Sequence, residues 1–143
     1  MASIGFVRAV IILTAISAGA GAHAGDVITW TGGQAGLADS WHNTANWDLA
    51  RVPDAGDDVV IPNVGTTTSV THSSGTTAIN SLECDEPLLL SGGTITLDNA
   101  STIDNTLSLS GGVLGGTGTV TVSGLTTVTG GTLSGSGITH ANG

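Results

Sequence analysis

The sequence predicts an all-β protein, a right-handed parallel β-helix (solenoid) with coils of about 19 residues and a tryptophan-rich N-terminal cap. The first observation is a repeat, because Gly-Gly pairs at positions 92–93, 111–112 and 130–131 are evenly spaced along the chain. A fixed period of about 20 residues is typical of solenoids, in which each coil buries its apolar column against the next. The second observation is composition: beyond Val59 nearly every apolar residue is Val, Ile or Leu, and stretches such as TVTV alternate with period two.

Residues 1–24 have the features of a secretory signal peptide. Arg8 precedes the apolar run AVIILTAISAGAGA, and an Ala-x-Ala sequence ends at Ala24. This run is shorter than the ~20 residues of a membrane-spanning helix. We predict cleavage after Ala24, export to the extracellular space or the outer surface of a bacterium, and no transmembrane span afterwards. The alternative is an uncleaved amphipathic or core helix.

The charge of the exported part restricts its partners. The full chain has a formal net charge of −9, and losing Arg8 makes it −10, with Arg51 as the one remaining formal cation. Such a chain has little with which to neutralise phosphates, so nucleic acid is excluded, and so is electrostatic docking on anionic lipid. Cys84 is the one cysteine, which rules out an internal disulfide. We interpret it as a small buried hydrophobe rather than a reactive thiol.

Residues 25–58 are predicted to form the cap, and they contain all the aromatic residues that remain after cleavage: Trp30, Trp41 and Trp47. One interpretation is structural, with large rings closing the apolar end of the solenoid. The other is a carbohydrate-binding platform, since flat aromatic faces stack on sugar rings and indole N–H groups donate to hydroxyls. The concentration of tryptophan at one end favours the structural interpretation.

Three aspartates in the stretch VPDAGDDVVIP also allow two interpretations. Asp54, Asp57 and Asp58 could bind Ca²⁺, which prefers carboxylate and carbonyl oxygens. The spacing, however, is neither that of an EF-hand loop nor that of a calcium-binding β-roll. Pro53 and Gly56 instead predict a turn in which aspartates bond nearby backbone N–H groups. We favour the turn, with Asp58 leading into a strand.

Residues 59–143 are predicted to form about four coils, with the number of strands per coil left open. Two apolar columns flank the glycine pairs: Leu90, Leu109 and Val128 before them, and Ile95, Leu114 and Leu133 after them. An earlier unit, VTHSSGTTAINSL, fits the repeat only loosely. No capping sequence is recognisable near Gly143, so we expect a longer chain truncated here or an end that pairs with something. The alternative fold is a small antiparallel sandwich of hairpins.

Two stretches carry a family resemblance. GGTLSGSG and GGVLGGTGTVTVSG resemble the strand repeats in passenger regions of bacterial autotransporters and related large surface proteins. WTGGQAGLADSWHNTANWDLARVPDAGDDVVIP resembles the segment that opens many exported bacterial β-solenoid proteins. The resemblance implies a parallel β-helix, export, and a part in adhesion or surface structure. It implies no catalytic residues. The given sequence departs from the autotransporter pattern in lacking a membrane-barrel segment, so the resemblance does not extend to self-secretion.

The sequence predicts a non-enzymatic structural or adhesion-type segment of a bacterial surface protein, and the alternative is a carbohydrate-binding or polysaccharide-degrading β-helix. Glycoside hydrolysis needs two carboxyls ~5–9.5 Å apart, which would have to come from Asp57–Asp58, Glu83–Asp85–Glu86 or Asp98–Asp104. A lyase usually needs a cationic residue near the acidic group of its substrate, and after cleavage Arg51 alone could supply it. His42, His72 and His140 show no metal-ligand spacing. We therefore predict no catalytic residue, no cofactor other than the calcium considered above, and surface glycans or neighbouring solenoid coils as partners.

Overall fold

A computed structural model describes residues 25–32, 39–65 and 69–143 of the chain. The predicted signal peptide lies outside these residues. The described residues form short strands and one 3₁₀ turn at Thr44–Asn46. The strands are β1 Val27–Thr29, β2 Asp58–Ile61, β3 Val70–His72, β4 Thr76–Ile79, β5 Ser81–Cys84, β6 Leu88–Leu90, β7 Thr94–Leu97, β8 Ser101–Ile103, β9 Leu107–Leu109, β10 Val113–Gly116, β11 Val120–Val122, β12 Thr126–Val128, β13 Thr132–Leu133 and β14 Thr139–Ala141.

The strands stack in three parallel sheets. Sheet 1 has the order β1-β2-β5-β8-β11-β14, sheet 2 the order β3-β6-β9-β12, and sheet 3 the order β4-β7-β10-β13. Each coil therefore contributes one strand to each sheet, and four complete coils run from β3 to β14. This confirms the β-solenoid and its four coils, and it sets three strands per coil. The antiparallel sandwich is wrong, because every pairing between the described strands is parallel.

The predicted period holds between the later coils and shortens at the first. Leu88 pairs with Leu107, and Leu107 pairs with Thr126, so both steps keep the full period. Val70 pairs with Leu88, a step that is one residue shorter. In sheet 1, Glu83 of β5 nevertheless pairs with Thr102 of β8 at the full period. The corner between β4 and β5 is therefore one residue shorter than its later counterparts.

Both predicted apolar columns are confirmed by the strand register. Leu90, Leu109 and Val128 pair in sheet 2, and the column of Ile95, Leu114 and Leu133 pairs in sheet 3. The first two members of each column are at most 2% exposed, whereas Val128 and Leu133 are 48% and 40% exposed. The columns thus form the core of the solenoid and open to solvent at its last coil.

The Gly-Gly pairs form the corner between sheets 2 and 3. A Cβ atom on Gly92 would lie 2.4 Å from the carbonyl oxygen of Ser73 in the preceding coil. Gly93 has a φ of +72°, a conformation that side chains strongly disfavour. Glycine is needed at this corner because the backbones of successive coils come into direct contact.

The composition of the stretch DNASTIDN, rich in Asp, Asn and Ser, predicts a polar corner flanked by Asp98 and Asp104, but the stretch contains a strand. Ser101–Ile103 form β8, and the side chains of Ser101 and Ile103 are buried. Asp98 and Asp104 therefore lie at opposite ends of a strand and not together on one corner. The expectation failed because a three-residue strand has too few positions for alternation to be visible.

The N-terminal residues close one end of the stack. Strands β1 and β2 extend sheet 1 beyond the first coil. Ser40 makes a parallel bridge to Thr71 and so extends sheet 2. No helix among the described residues is long and apolar enough to cross a membrane. The cap covers the apolar interior with Trp30, Trp41 and Trp47.

Candidate functional site

The three tryptophans form one buried cluster at the capped end. Trp30, Trp41 and Trp47 are at most 2% exposed. The Trp47 ring lies 5.0 Å from both other rings, centroid to centroid, in edge-to-face geometry. This geometry is the one that aromatic pairs prefer, and it stabilises beyond the burial of area. The cluster is present where the sequence predicts the cap.

Hydrogen bonds from the Trp47 and Asn46 side chains hold the cluster to the neighbouring backbone. The Trp47 Nε1–H donates to the carbonyl oxygen of Trp41 at 2.8 Å, and the Asn46 side-chain amide donates to the carbonyl oxygen of Ser40 at 3.0 Å. Among the described residues, four buried side-chain polar atoms lack a partner, and three of them lie in the cap: Trp41 Nε1, His42 Nε2 and Asn46 Oδ1. Hydrogen bonding of the buried side chains in the cap is therefore incomplete, although its backbone bonds to the first coil and to β2.

Burial of the rings bears on the carbohydrate interpretation. A stacking platform presents an aromatic face to the ligand, whereas these rings face one another and the first coil. The arrangement favours the structural interpretation of Trp30, Trp41 and Trp47. Carbohydrate binding by these residues stays a prediction, and it would require the cap to open.

Arg51 and Asp57 form an ion pair within the cap, and the Asp57 carboxylate is fully buried. Arg51 Nη1 and Nη2 donate to the two Asp57 carboxylate oxygens at 2.6 and 2.9 Å. The backbone N–H groups of Asp54 and Asp26 donate to the same carboxylate at 2.8 and 3.1 Å. Arg51 also donates to the Asp26 carboxylate at 3.1 Å. The pair ties the start of β1 to the turn before β2, and we call it the cap clamp.

The clamp determines the protonation of its members. Burial pushes the pKa of Asp57 upwards, but hydrogen bonds from Arg51 and from backbone N–H groups outweigh it, so this pKa lies below its ordinary value. The hydrogen bond to Asp57 is the largest influence raising the pKa of Arg51. Both groups are therefore ionised wherever the protein is folded near neutral pH.

The remaining aspartates have the geometry of a turn and a strand entry. The Asp57 N–H donates to the carbonyl oxygen of Asp54 at 3.1 Å, and Gly56 has a φ of +93°. Asp58 begins β2, where its carboxylate accepts hydrogen bonds from Ser81 and Asn80 that lower its pKa. The described residues contain no group of three acidic, histidine or cysteine side chains placed to hold a metal ion. A calcium ion would have to displace Arg51 from Asp57, so calcium binding stays a prediction.

Two histidines that are far apart in sequence come into contact where the cap lies on the first coil. The rings of His42 and His72 are 4.7 Å apart, and the Trp41 ring is 5.9 Å from His72. His72 is fully buried and pairs in register with Leu90, so it occupies the sheet 2 column at the first coil. Its Nδ1 lies 3.0 Å from the Gly92 carbonyl oxygen and its Nε2 lies 3.1 Å from the Thr77 hydroxyl. A carbonyl only accepts, which assigns the proton of neutral His72 to Nδ1.

We expect His72 to make the folded protein sensitive to mild acid. Burial, together with the neighbouring His42, lowers the pKa of His72 despite the hydrogen bond to Gly92. The unfolded chain then takes up a proton before the folded chain does, so the free energy of unfolding falls below about pH 6.5, by at most about 1.4 kcal/mol per pH unit. Urea unfolding between pH 7 and pH 5 should show this slope in the wild type and a reduced slope in His72→Leu. The exposed His140→Gln variant should keep it, and an equal slope in all three proteins would contradict the assignment.

Cys84 is an interior side chain of sheet 1. It is fully buried, and its Sγ–H donates to the carbonyl oxygen of Glu86 at 3.1 Å. Burial raises the pKa of this thiol to about 12, so almost none of it is thiolate near neutral pH. The interpretation of Cys84 as a small buried hydrophobe agrees with this environment.

Labelling should distinguish an inert Cys84 from a reactive one. We expect an aromatic disulfide reagent to leave the folded protein unmodified and to label one thiol per chain in denaturant. A labelling rate that rises in parallel with urea-induced unfolding would assign modification to the open state. Rapid labelling of the folded protein would show that the thiol is accessible.

The other carboxylates considered for catalysis lie in different environments. Glu86 is buried, and its Oε1 accepts a hydrogen bond from the backbone N–H of Val64 at 2.8 Å. Glu83 is exposed on β5. A hollow between the third and fourth coils is lined by residues such as Leu114, Val120 and Thr139, and none of its lining residues carries an ionisable side chain. These features provide no paired carboxyl site within a cleft.

Polar side chains join successive coils along the outer surface. The Asn99 amide donates to the Asn80 side chain at 2.5 Å, and the Ser123 hydroxyl donates to the Asp104 carboxylate at 2.9 Å. The Thr117 hydroxyl donates to the carbonyl oxygen of Asp98 at 3.0 Å. Each bond joins positions one full period apart and so crosses from one coil to the next. Asparagine, threonine and serine side chains thus link neighbouring coils at the corners on both sides of sheet 1.

The sequence did not predict the cap clamp or the histidine contact. The signal that could have indicated the ion pair is that Arg51 is the one Lys or Arg among the described residues and is surrounded in sequence by Asp48, Asp54, Asp57 and Asp58. No local signal relates His42 to His72, since their contact depends on how the cap is laid over the first coil. No protein-family model, curated protein or solved structure matches this chain.

Proposed function

We propose that this chain is a non-enzymatic structural or adhesion-type segment of an exported bacterial surface protein. The observation that best supports this proposal is that side chains with reactive groups are engaged in structural contacts. Arg51 pairs with Asp57, His72 lies within the apolar column, and Cys84 is buried in sheet 1. Each of these side chains holds the solenoid together.

The mechanism that we propose is geometric. Adjacent parallel strands are ~4.8 Å apart, so four coils form a stack that is about 20 Å long. Its lateral face carries the inter-coil hydrogen bonds of Asn99, Thr117 and Ser123. Hydroxyl and amide groups fixed at coil spacing are suited to repeated weak hydrogen bonds with a surface glycan. In this proposal the cap protects the apolar interior at one end of the stack.

Export is the part of the proposal that is tested first. Residues 1–24 have the charge, apolar run and small residues of a signal peptide. The full chain should be expressed in a Gram-negative bacterium and the exported fraction analysed by intact-mass spectrometry. We expect the mass of a chain whose first residue is Gly25. The Ala22→Arg variant, which removes the small residue two positions before Ala24, should retain the leader and remain unprocessed. Processing of both proteins elsewhere, or of neither, would contradict the predicted cleavage.

Ligand binding and catalysis are tested separately on the purified protein. A glycan array identifies any bound carbohydrate, and assays for reducing ends and for unsaturated uronates detect hydrolysis and elimination. Binding without turnover supports an adhesion role, and neither binding nor turnover supports a purely structural one. Turnover would overturn the non-enzymatic proposal in favour of a polysaccharide-degrading β-helix. Loss of binding in a folded Trp41→Ala variant would favour a carbohydrate site in the cap.

A further inference from the structure

The cap is joined to the solenoid in two separate places. On the sheet 1 side, β1 pairs with β2, and the cap clamp of Arg51 and Asp57 holds this pairing in place. On the sheet 2 side, the Trp41 N–H donates to the carbonyl oxygen of Thr71 at 2.9 Å, and the Thr71 N–H donates to the carbonyl oxygen of Asp39 at 2.7 Å. These two hydrogen bonds form the bridge that extends sheet 2 into the cap. A change that weakens one side therefore need not weaken the other.

The histidine contact lies on the sheet 2 side. His42 belongs to residues 39–46, which we call the bridge segment, and His72 follows Thr71 in β3. The two imidazole rings are 4.7 Å apart. His72 is fully buried, and the Nε2 atom of His42 is buried without a hydrogen-bond partner among the described residues. A proton on either ring therefore places a charge away from water, and protons on both rings place two like charges in contact.

The groups that face His72 are neutral apart from His42. Its ring nitrogens face the Gly92 carbonyl oxygen and the Thr77 hydroxyl, neither of which ionises, and its register neighbour on β6 is Leu90. Burial is the largest influence that lowers the pKa of His72, the carbonyl of Gly92 raises it, and His42 lowers it further. No carboxylate among the described residues acts on this pKa.

The acidic groups of the cap are concentrated on the sheet 1 side. Asp39 is the one carboxylic acid of the bridge segment, and its backbone carbonyl takes part in the bridge. The other acidic residues of the described cap contact β1 or Arg51 or begin β2: Asp26, Asp48, Asp54, Asp57 and Asp58. These carboxylates are therefore placed to hold the sheet 1 side and not to stabilise charged histidines on the sheet 2 side.

The two sides of the cap respond to acid in different ranges of pH. When the bridge segment lifts, His72 regains an ordinary pKa of about 6.5, so below that pH the opened state takes up a proton that the closed state holds less tightly. On the other side, burial raises the pKa of Asp57, but hydrogen bonds from Arg51 and from backbone N–H groups outweigh it and leave this pKa lowered. The clamp therefore stays ionised below about pH 4, the ordinary value for aspartate. Between these two values only the sheet 2 side is weakened.

We propose that mild acid opens the cap on one side, so that the bridge segment separates from the first coil while the clamp keeps β1 on β2. The geometry that carries this proposal is the contact of His42 and His72 across the boundary beside the bridge. Opening exposes the Trp41 ring, which the closed cap buries completely. The inference goes beyond the proposed function, because it assigns to the cap a reversible response to acidity that changes the surface of the solenoid.

Native-state hydrogen exchange on the wild type tests the proposal at about pH 7 and about pH 5, on either side of the ordinary histidine pKa. The reporters are the N–H groups of Trp41 and Thr71, since both donate across the bridge. An opening that takes up one proton is favoured by at most about tenfold per pH unit. The protection factors of both reporters should therefore fall by about tenfold over this range. Local opening exposes little surface, so their exchange should not depend on low concentrations of urea.

Two further N–H groups provide matched reporters in the same protein. The Asp58 N–H donates to the carbonyl oxygen of Asp26 on the sheet 1 side, and the Leu107 N–H donates to the carbonyl oxygen of Leu125 in the later coils. Both should stay more strongly protected than the bridge at about pH 5. Their exchange should become faster with urea, because it requires unfolding that exposes more surface.

Two histidine variants assign the response to its titrating group. His72→Leu removes that group and continues the leucine column of sheet 2, so protection of the bridge should lose its dependence on pH. His140→Gln changes an exposed histidine on β14 and should respond to acid like the wild type.

Several results would overturn the proposal. They are bridge protection that is unchanged in acid, bridge exchange with the urea dependence of Leu107, urea-independent exchange at Asp58, and an acid response that survives in His72→Leu. The first three are measured on the wild type and so need no variant to fold. None of these results depends on export or on glycan binding, so the acid response can fail while the proposed function stands.

Discussion

Replacing Arg51 with methionine should lower the free energy of unfolding by about 3–5 kcal/mol, the usual cost of leaving a buried charge without its partner. Asp57 is fully buried and receives both guanidinium hydrogen bonds of the cap clamp. Methionine fills similar space and donates nothing. The backbone N–H groups of Asp26 and Asp54 still reach Asp57, which favours the lower part of this range. Urea unfolding followed by tryptophan fluorescence measures the change.

A matched variant separates the buried pair from ordinary surface charge. Asp54 also faces Arg51, at 3.7 Å, but its side chain is 58% exposed. Asp54→Asn should therefore change stability by only about 0–1 kcal/mol. Arg51→Lys keeps the charge and loses the planar two-pronged contact, so an intermediate loss is expected. If Arg51→Met and Asp54→Asn lower the free energy of unfolding equally, the buried Arg51–Asp57 pair is no more stabilising than an exposed charge pair.

The pH dependence has a defined sign. The folded-state pKa of Asp57 is lowered, so the stability that it contributes is fully present above about pH 4 and is lost as pH falls through the folded value. Without Arg51 the Asp57 pKa should lie higher than in the wild type, because the largest lowering influence is lost while the burial remains. The carboxyl should then be protonated at less acidic pH. The stability difference between wild type and Arg51→Met should therefore shrink as the pH falls from 7 to about 3. A difference that grows in acid would contradict the clamp.

The solenoid was predictable because the sequence signals that specify it recur with a fixed period. A glycine pair and two apolar columns recur with a single period, and the strand register places each column in one sheet. The first coil was harder to recognise, for two physical reasons. His72 takes the place of leucine in the sheet 2 column, and the step from His72 to Leu90 is one residue shorter than the later steps. A short corner and a polar core residue remove the two signals on which a repeat search depends.

The cap was predictable only in outline. Three tryptophans before an aromatic-free repeat indicate large rings at one end, but their mutual packing depends on a chain path without periodicity. The Arg51–Asp57 contact is local in sequence, whereas Arg51 and Asp26 are far apart along the chain. Such contacts follow from how the cap lies over the first coil. The aspartates of VPDAGDD form the turn and the strand entry that Pro53 and Gly56 predicted. The burial of Asp57 against Arg51 is the part that no local pattern indicated.

Replacing Trp47 with alanine should cost about 3–5 kcal/mol, as expected for deleting a buried tryptophan. Trp47 is 2% exposed and is the central ring, in contact with both Trp30 and Trp41. Its removal also leaves the Trp41 carbonyl oxygen without the Nε1–H donor. Trp47→Phe keeps much of the packing and loses only the donor and part of the ring. A smaller cost of about 1–3 kcal/mol is expected for that variant, chiefly from the unpartnered carbonyl.

The position of the tryptophans allows the cap and the coils to be observed separately. All three tryptophans of the chain lie in the cap, so fluorescence reports on the cap while far-ultraviolet circular dichroism reports on the strands. Stability in solenoids is a sum of local terms between neighbouring coils. In Trp47→Ala, the fluorescence transition of Trp30 and Trp41 should move to lower urea concentration before the dichroism transition does. Opening of the cap should therefore precede loss of the later coils.

A core deletion far from the cap is the matched control. Leu107 is fully buried in β9, two coils beyond His72 in sheet 2, and Leu107→Ala should cost about 2–5 kcal/mol. It should shift the dichroism transition at least as far as the fluorescence transition, the reverse order to Trp47→Ala. If Trp47→Ala unfolds at the wild-type urea concentration, the result would contradict the structural interpretation of the cluster and would favour the carbohydrate interpretation. If its two transitions move together instead, the cap and the coils unfold as one unit, and the clamp then stabilises the whole solenoid.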